Sequence, residues 1–463
     1  MRILGLFCAA LAAVLAVGLA GDPASARQAG KPNIIYVMSD DQAAWQMSYM
    51  PKTVSLVGDR GVTYTHYFGT FPLCCPARVS IQTGQYPHNH GVTTNVDAFG
   101  RWKDKQNTLP VAMEAAGYQT AYLGKYVFGF KPCSTTVPPG WDPAEWHATG
   151  SGRYYGMVMH NPSGKCIQYG EASGRNDPAD YSTDVSAGVA VDILERLLPG
   201  DKPVFAMLNF DAPHIGGPLR AGEPTHCSVP PERYRGQADT IPFPDRPSFN
   251  EQDLSDKPNQ LQLPKMSEAR IDDTVYCFHR KVETMMGLDD AVERIVDAVE
   301  ASGEADNTYI VYATDNGFMT GEHRDPDGKG TPYTEAVQLP LMIRGPGIGA
   351  GTTDDDLRSE VDLTATFLQW AGATMPGHPL DGKPLDAAPR DDLLIEGKTW
   401  SALRTPDFYY VKWNGSSAEQ LYDLRNDPWE MESVHADAAY ASTRDALRGR
   451  LAEVADCVGS ACP

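Results

Sequence analysis

Short apolar runs recur along the chain, each bounded by polar or turn-forming residues. Asn33-Ile-Ile-Tyr-Val-Met38 ends in Ser39-Asp40-Asp41, and Gln119–Leu123, Val204–Phe210, Thr308–Ala313 and Leu339–Ile343 are of the same kind. Runs of this length and composition read as buried strands. Segments with helical spacing lie between them, at Thr108–Ala116, Ser182–Leu198 and within Met266–Ala301. In the last, Val282, Met285, Met286, Val292, Ile295, Val296 and Val299 fall three or four residues apart. Strands alternating with helices predict an α/β fold, a large domain whose mostly parallel central sheet is flanked by helices. In such sheets ligands sit beyond the carboxyl ends of the strands, where Asp40 and Asp41 stand.

The pattern changes twice. Residues 215–265 are rich in Pro, Gly and polar side chains and show little periodicity, which predicts a long surface excursion near the site. With the segment 130–180, which periodicity does not resolve, it is expected to set the depth of the pocket. A Pro/Gly/Asp-rich stretch spans Ala373–Asp392. After it, Leu393–Glu396, Trp400–Arg404 and Phe408–Trp413 predict short antiparallel strands, with a terminal helix near Ala438–Val454 packed on them. The expected organisation is a catalytic domain over 27–385 and a small C-terminal sheet-and-helix domain over 386–463.

Residues 1–26 predict an export signal. Arg2 precedes an apolar run from Ile3 to Ala20, and Ala24-Ser25-Ala26 offers a small-x-small cleavage pattern. No later segment is comparably apolar, so a secreted or periplasmic protein without stable membrane insertion is expected. The 463 residues carry 39 Lys+Arg against 60 Asp+Glu, a net charge of −21. That excess argues against nucleic acid or an acidic membrane surface as a general partner, and leaves room for a small anionic substrate in a locally basic pocket. Setting aside Cys8, eight of the nine cysteines remain. Export permits disulfides. Cys457–Cys462 is the simplest pair, and Cys133–Cys166 and Cys227–Cys277 are possible, though connectivity is not deducible from sequence. Adjacent Cys74 and Cys75 do not suit a bond to each other.

Two clusters offer hard oxygen ligands for a divalent cation: Asp40-Asp41, and Thr314-Asp315-Asn316-Gly317 after a later strand. Neighbouring parallel strands bring the two together. Taken singly, the first reads as a helix cap and the second as a turn. A third cluster decides between these readings: Cys74-Cys75-Pro76-Ala77-Arg78, four further residues, then Thr83-Gly84. It resembles the signature Cys-x-Pro-x-Arg-x₄-Thr-Gly of the formylglycine-dependent (type I) sulfatases, within the alkaline phosphatase superfamily. Gly124-Lys125, Pro213-His214, Asp315-Asn316-Gly317, Lys329 and the segment Glu419–Glu430 follow in the family's order, so the resemblance covers nearly all of the chain after residue 26.

The resemblance implies the superfamily's fold, a large α/β domain and a small C-terminal one, in agreement with the periodicity. It also implies a sulfuric ester hydrolase in which Cys74 is oxidised to formylglycine (3-oxoalanine) during export by a formylglycine-generating enzyme. Its hydrate is the nucleophile that takes sulfate from an ester. Asp40, Asp41, Asp315 and Asn316, with residue 74, match the family's Ca²⁺ ligands. Arg78 matches the residue that holds the hydrate. Lys125 and Lys329 match the cations that neutralise sulfate oxygens, and His214 a histidine that contacts sulfate or protonates the leaving oxygen. Tyr333 and Glu335 belong to the same stretch and need only shape the pocket.

The chain departs from the commonest pattern at Val127, where many sulfatases carry a histidine after Gly-Lys. His88 and His90 are candidate replacements or packing residues. The double cysteine and Tyr86-Pro-His-Asn-His90 are similar to the N-acetylglucosamine-6-sulfatase and heparan 6-O-endosulfatase branch, which implies sulfated sugars, or aryl sulfates, as substrates. Two other readings stay open: a phosphonate or phosphate ester hydrolase on the same scaffold, and a catalytically silent binder of sulfated glycans.

Overall fold

The computed structural model describes residues 30–131, 133–134, 136–150, 154–161, 163–171, 177–216 and 222–463. The expected export signal lies outside them.

A ten-stranded sheet forms the centre. Its order is Thr352–Asp354, Val62–Tyr64, Leu341–Arg344, Thr308–Thr314, Asn33–Ser39, Val204–Asn209, Gln119–Lys125, Trp146–Thr149, Met157–His160 and Cys166–Tyr169. The five strands from Thr308–Thr314 to Trp146–Thr149 are mutually parallel. Leu341–Arg344 on one side and Met157–His160 on the other run antiparallel to them. Side chains alternate across a strand, and both faces are apolar. Ile35, Val37, Ala206, Leu208, Ile310 and Tyr312 point one way, while Ile34, Tyr36, Met38, Phe205, Met207, Val311 and Ala313 point the other. The first face is covered by the helices Ser182–Leu197 and Glu268–Ala301, the second by Cys74–Thr83, Leu109–Ala115 and Val361–Ala371. This is the fold that the strand–helix alternation predicts.

A four-stranded antiparallel sheet follows near the C-terminus, Leu393–Glu396, Trp400–Arg404, Phe408–Trp413 and Glu419–Asp423 in sequential order. It too is apolar on both faces. Leu393, Ile395, Trp400, Ala402, Tyr409 and Val411 pack with Phe68, Tyr333 and Val337; Leu394, Leu403, Tyr410 and Leu421 pack under Leu451 and Val454 of the helix Ala441–Val454. Between residues 130 and 180 three short strands extend the main sheet. Among its described residues the 215–265 excursion is irregular apart from one turn at Asn259–Leu261, and Cys227–Cys277 ties it to the long helix. Cys133–Cys166 and Cys457–Cys462 are the other disulfides among the described residues, and Cys74 and Cys75 are free.

Candidate active site

Four strands deliver their chemistry at one edge. Asn33–Ser39 runs into Asp40 and Asp41, Thr308–Thr314 into Asp315 and Asn316, Gln119–Lys125 ends on Lys125, and Val204–Asn209 leads to His214. Register keeps these ends level, because Ser39 pairs with Thr314, and Met38 and Gly124 both pair with Asn209. Gly124 makes the close approach possible. Its φ is 96°, and a Cβ there would fall 1.7 Å from the Asn209 carbonyl oxygen. Cys74 opens the helix Cys74–Thr83, and Arg78, one turn later, lies on the same side. Gly84 ends that helix at a left-handed φ of 67°, which accounts for the last position of the signature.

All eight predicted positions surround Cys74 or its partners. Cys74 Sγ lies 3.6 Å from Asp40 Oδ1, 3.6 Å from Lys125 Nζ and 3.0 Å from Lys329 Nζ. Lys125 also donates to Asp40 Oδ2, and Lys329 donates to Asp41 Oδ1 at 2.5 Å. Arg78 donates through Nε to Asp315 Oδ2 at 2.9 Å, through Nη2 to Asp40 Oδ2 at 3.1 Å, and through Nη1 to the Lys125 carbonyl at 2.7 Å. His214 Nε2 stands 3.4 Å from Asp41 Oδ2, with its Nδ1 2.6 Å from the Ile215 carbonyl. Lys329 and His214 keep some exposure; the other six are buried.

The electrostatics follow from that packing. Burial alone would lift Asp40, but Lys125, His214, Arg78 and Lys329 hold it well below the usual carboxylate range. Asp41 is likewise lowered against burial, by Lys329 and His214. Asp315 is raised, by burial and by Asp40. Burial and the Asp40 carboxylate push the Cys74 thiol up to about 12, so an unmodified cysteine here stays protonated near neutral pH and is a poor nucleophile.

The donor set suits a hard divalent cation. Asp41 Oδ2 and Asn316 Oδ1 are buried without a hydrogen-bond partner. Asn316 spends its amide hydrogens on Asp41 Oδ1 at 2.6 Å and the Gly317 carbonyl at 2.8 Å, which leaves its carbonyl oxygen free. Ligand atoms of Asp40, Asp41, Cys74 and His214 lie within 4.8 Å of one another. Carboxylate and amide oxygens are the ligands calcium takes, and a cation here would meet the two orphaned oxygens.

Other sequence candidates go elsewhere. His88 pairs with Glu396 at 3.0 Å and the Cys457 carbonyl at 2.8 Å; His90 is buried against Ser80 Oγ at 3.1 Å. Val127 and Cys75 are buried in the core beneath the second sheet face. Tyr333 stacks on His323, and Glu335 faces Arg246 at 3.6 Å. One residue escaped the sequence reading. Lys281 is buried with its ammonium 4.2 Å from the centre of the Phe318 ring, and burial, partly offset by Asp41, draws its pKa down to about 8. Its signal was present, since it falls on the apolar stripe of its helix between Phe278 and Met285.

The family profile described as Sulfatase matches residues 32–373, and one described as N-sulphoglucosamine sulphohydrolase, C-terminal, matches 321–456. The chain is 29% identical to an arylsulfatase of Chlamydomonas reinhardtii, over 98% of this chain and 78% of that protein. It is 33% identical to the N-acetylglucosamine-6-sulfatase of Homo sapiens, over 74% of this chain but only 61% of that protein. A solved structure of a protein in complex with its substrate D-glucosamine-2-N,6-O-disulfate is similar at a TM-score of 0.71 and 24% identity, covering 91% of this chain and 97% of that one. The phosphonate monoester hydrolase of Silicibacter pomeroyi is similar at the same TM-score and 19% identity, covering 91% and 94%. Likeness of fold therefore does not separate the two chemistries.

Proposed function

The chain belongs to the sulfatase family and is a sulfuric ester hydrolase; from that premise we propose that it is exported, that it removes sulfate from sulfated sugars, and that it does so with formylglycine at position 74 and a bound calcium ion. One observation carries the proposal: residue 74 sits where Asp40, Lys125 and Lys329 converge, with Arg78 one helical turn behind. The sugar class is supported by the likeness to N-acetylglucosamine-6-sulfatases. Export is supported by residues 1–26, and no described helix is long and apolar enough to cross a membrane.

Asp40, Asp41, Asp315 and Asn316 would hold the calcium. Hydrated formylglycine supplies an oxygen nucleophile, and calcium supplies positive charge that favours its ionised form. The chain's own residues do the rest. Arg78 joins Asp40 to Asp315 and so fixes the metal-ligand loops relative to the helix bearing residue 74. Three buried carboxylates, Asp40, Asp41 and Asp315, are matched by Arg78, Lys125 and Lys329. A divalent cation added to that balanced set leaves a net positive pocket for an anionic ester. Lys125 and Lys329, already on the residue 74 side chain, lie where sulfate oxygens gather charge during transfer. His214 is partly exposed, with Nε2 beside Asp41 Oδ2 and its other nitrogen held by the Ile215 carbonyl, which suits it to give a proton to the leaving oxygen.

The test is release of inorganic sulfate from 6-sulfated glucosamine and from 4-nitrophenyl sulfate, beside hydrolysis of phenyl phosphonate. Faster turnover of the sulfate esters is expected; a clear preference for the phosphonate would move the reading to the other chemistry on this fold.

A further inference from the structure

One buried cation beside the Asn316 loop has no counter-charge of its own. Arg78, Lys125 and Lys329 each meet a carboxylate. Lys281 does not. It stands on the helix Glu268–Ala301, 5% exposed, and makes no hydrogen bond or ion pair among the described residues. Its close partner is the face of Phe318. Phe318 is two residues beyond Asn316, and its amide donates to the Glu335 carbonyl at 3.0 Å, so the ring is fixed to the metal-ligand loop. The charged groups acting on Lys281 are Asp41, Lys329, Glu322 and Asp40, three of which belong to the active site.

A buried ammonium without a carboxylate is among the costliest groups a fold can hold, and a cation–π contact returns only part of that cost. Lys257, buried elsewhere in the fold, by contrast has Glu251 and Asp256. We propose that Lys281 is an anion-binding residue of the active site, its missing counter-charge being an oxygen of the substrate's sulfate group or of free sulfate. The inference deepens the sulfatase reading and rests on it.

The test uses the exported, calcium-loaded protein. Inorganic sulfate binding is measured by calorimetry for wild type, Lys281→Met and Lys281→Arg, with Tm recorded in the absence of anion. Lys281→Met should bind sulfate at least about tenfold more weakly, the loss expected when a charged hydrogen-bond donor is removed. It should also melt higher than wild type, because an unpaired buried charge is gone. Lys281→Arg should keep most of the sulfate affinity. On 4-nitrophenyl sulfate, KM should rise more than kcat falls in the Met variant. Wild-type sulfate affinity in Lys281→Met overturns the assignment. So does a Met variant that melts lower and whose stability, but not sulfate affinity, is restored by Arg. Binding needs no turnover, so the two readings fail separately: a wild type that binds sulfate but hydrolyses no sulfate ester sinks the enzyme reading alone, whereas an active wild type with an unaffected Met variant sinks this inference alone. A wild type that binds no sulfate overturns the anion assignment, and the enzyme reading is then judged by turnover alone.

Discussion

Arg78 shows how much of the site rests on single side chains. It is buried between Asp40 and Asp315, so Arg78→Met strands two carboxylates; a loss of about 3–5 kcal/mol is expected, read as a lower urea midpoint. Lys125→Ala and Lys329→Ala remove charge from the site of transfer, and kcat/KM should fall by roughly 10²–10³ in each. His90 contributes differently. Burial, with His88 and Lys103 nearby, draws it down to about 3, against about 6.5 when unfolded. The unfolded chain therefore binds the extra proton first, so stability from the neutral ring is whole above about pH 6.5 and drains away as pH falls toward 3. His90→Gln should flatten the fall of Tm across that window; an unchanged slope would contradict the burial argument. Asp40, Asp41, Asp315 and Asn316 were legible as oxygen-rich clusters at strand ends, and Cys74 and Arg78 through the signature spacing, whereas Lys125, His214 and Lys329 were picked out by resemblance to the family alone. Lys281 was passed over, because a lysine in a helix ordinarily reads as a solvated face, although its place on the apolar stripe between Phe278 and Met285 marks it as turned inward.

At the scale of elements, the strands that carry the site were the ones sequence showed best. Asn33–Ser39, Val204–Asn209 and Thr308–Thr314 are buried on both faces and read as continuous apolar runs. Trp146–Thr149, Met157–His160 and Cys166–Tyr169 escaped notice, being four residues each, the last largely exposed. Glu419–Asp423 was recognised by resemblance and not as a strand; its partner Phe408–Trp413 supplies the pairing. Gly124 belongs to this scale, since any Cβ there pushes two central strands apart. Gly124→Ala should cost several kcal/mol (more than about 3) and lower the yield of folded protein. Cys227–Cys277 holds the 215–265 segment to the long helix. Cys277→Ser should lose about 2–4 kcal/mol of stability, seen in thermal unfolding under non-reducing conditions.

For the whole molecule, a chain of net charge −21 gathers Arg78, Lys125, Lys329, His214 and Lys281 around three buried carboxylates. The acidic body does not describe the pocket, and charge composition alone would have missed the anionic substrate. A cation that met the orphaned oxygens of Asp41 and Asn316 would tie stability to metal. Chelation should lower both Tm and sulfatase activity, with calcium restoring them together. Everything proposed for this site turns on formylglycine at residue 74. The most direct measurement is peptide mass spectrometry across Phe71–Arg78 of the protein exported from a host with a competent modifying system. The expected peptide has lost the sulfur of residue 74 and carries an aldehyde or its hydrate there. An intact Cys74 thiol in protein that nonetheless hydrolyses sulfate esters would contradict it.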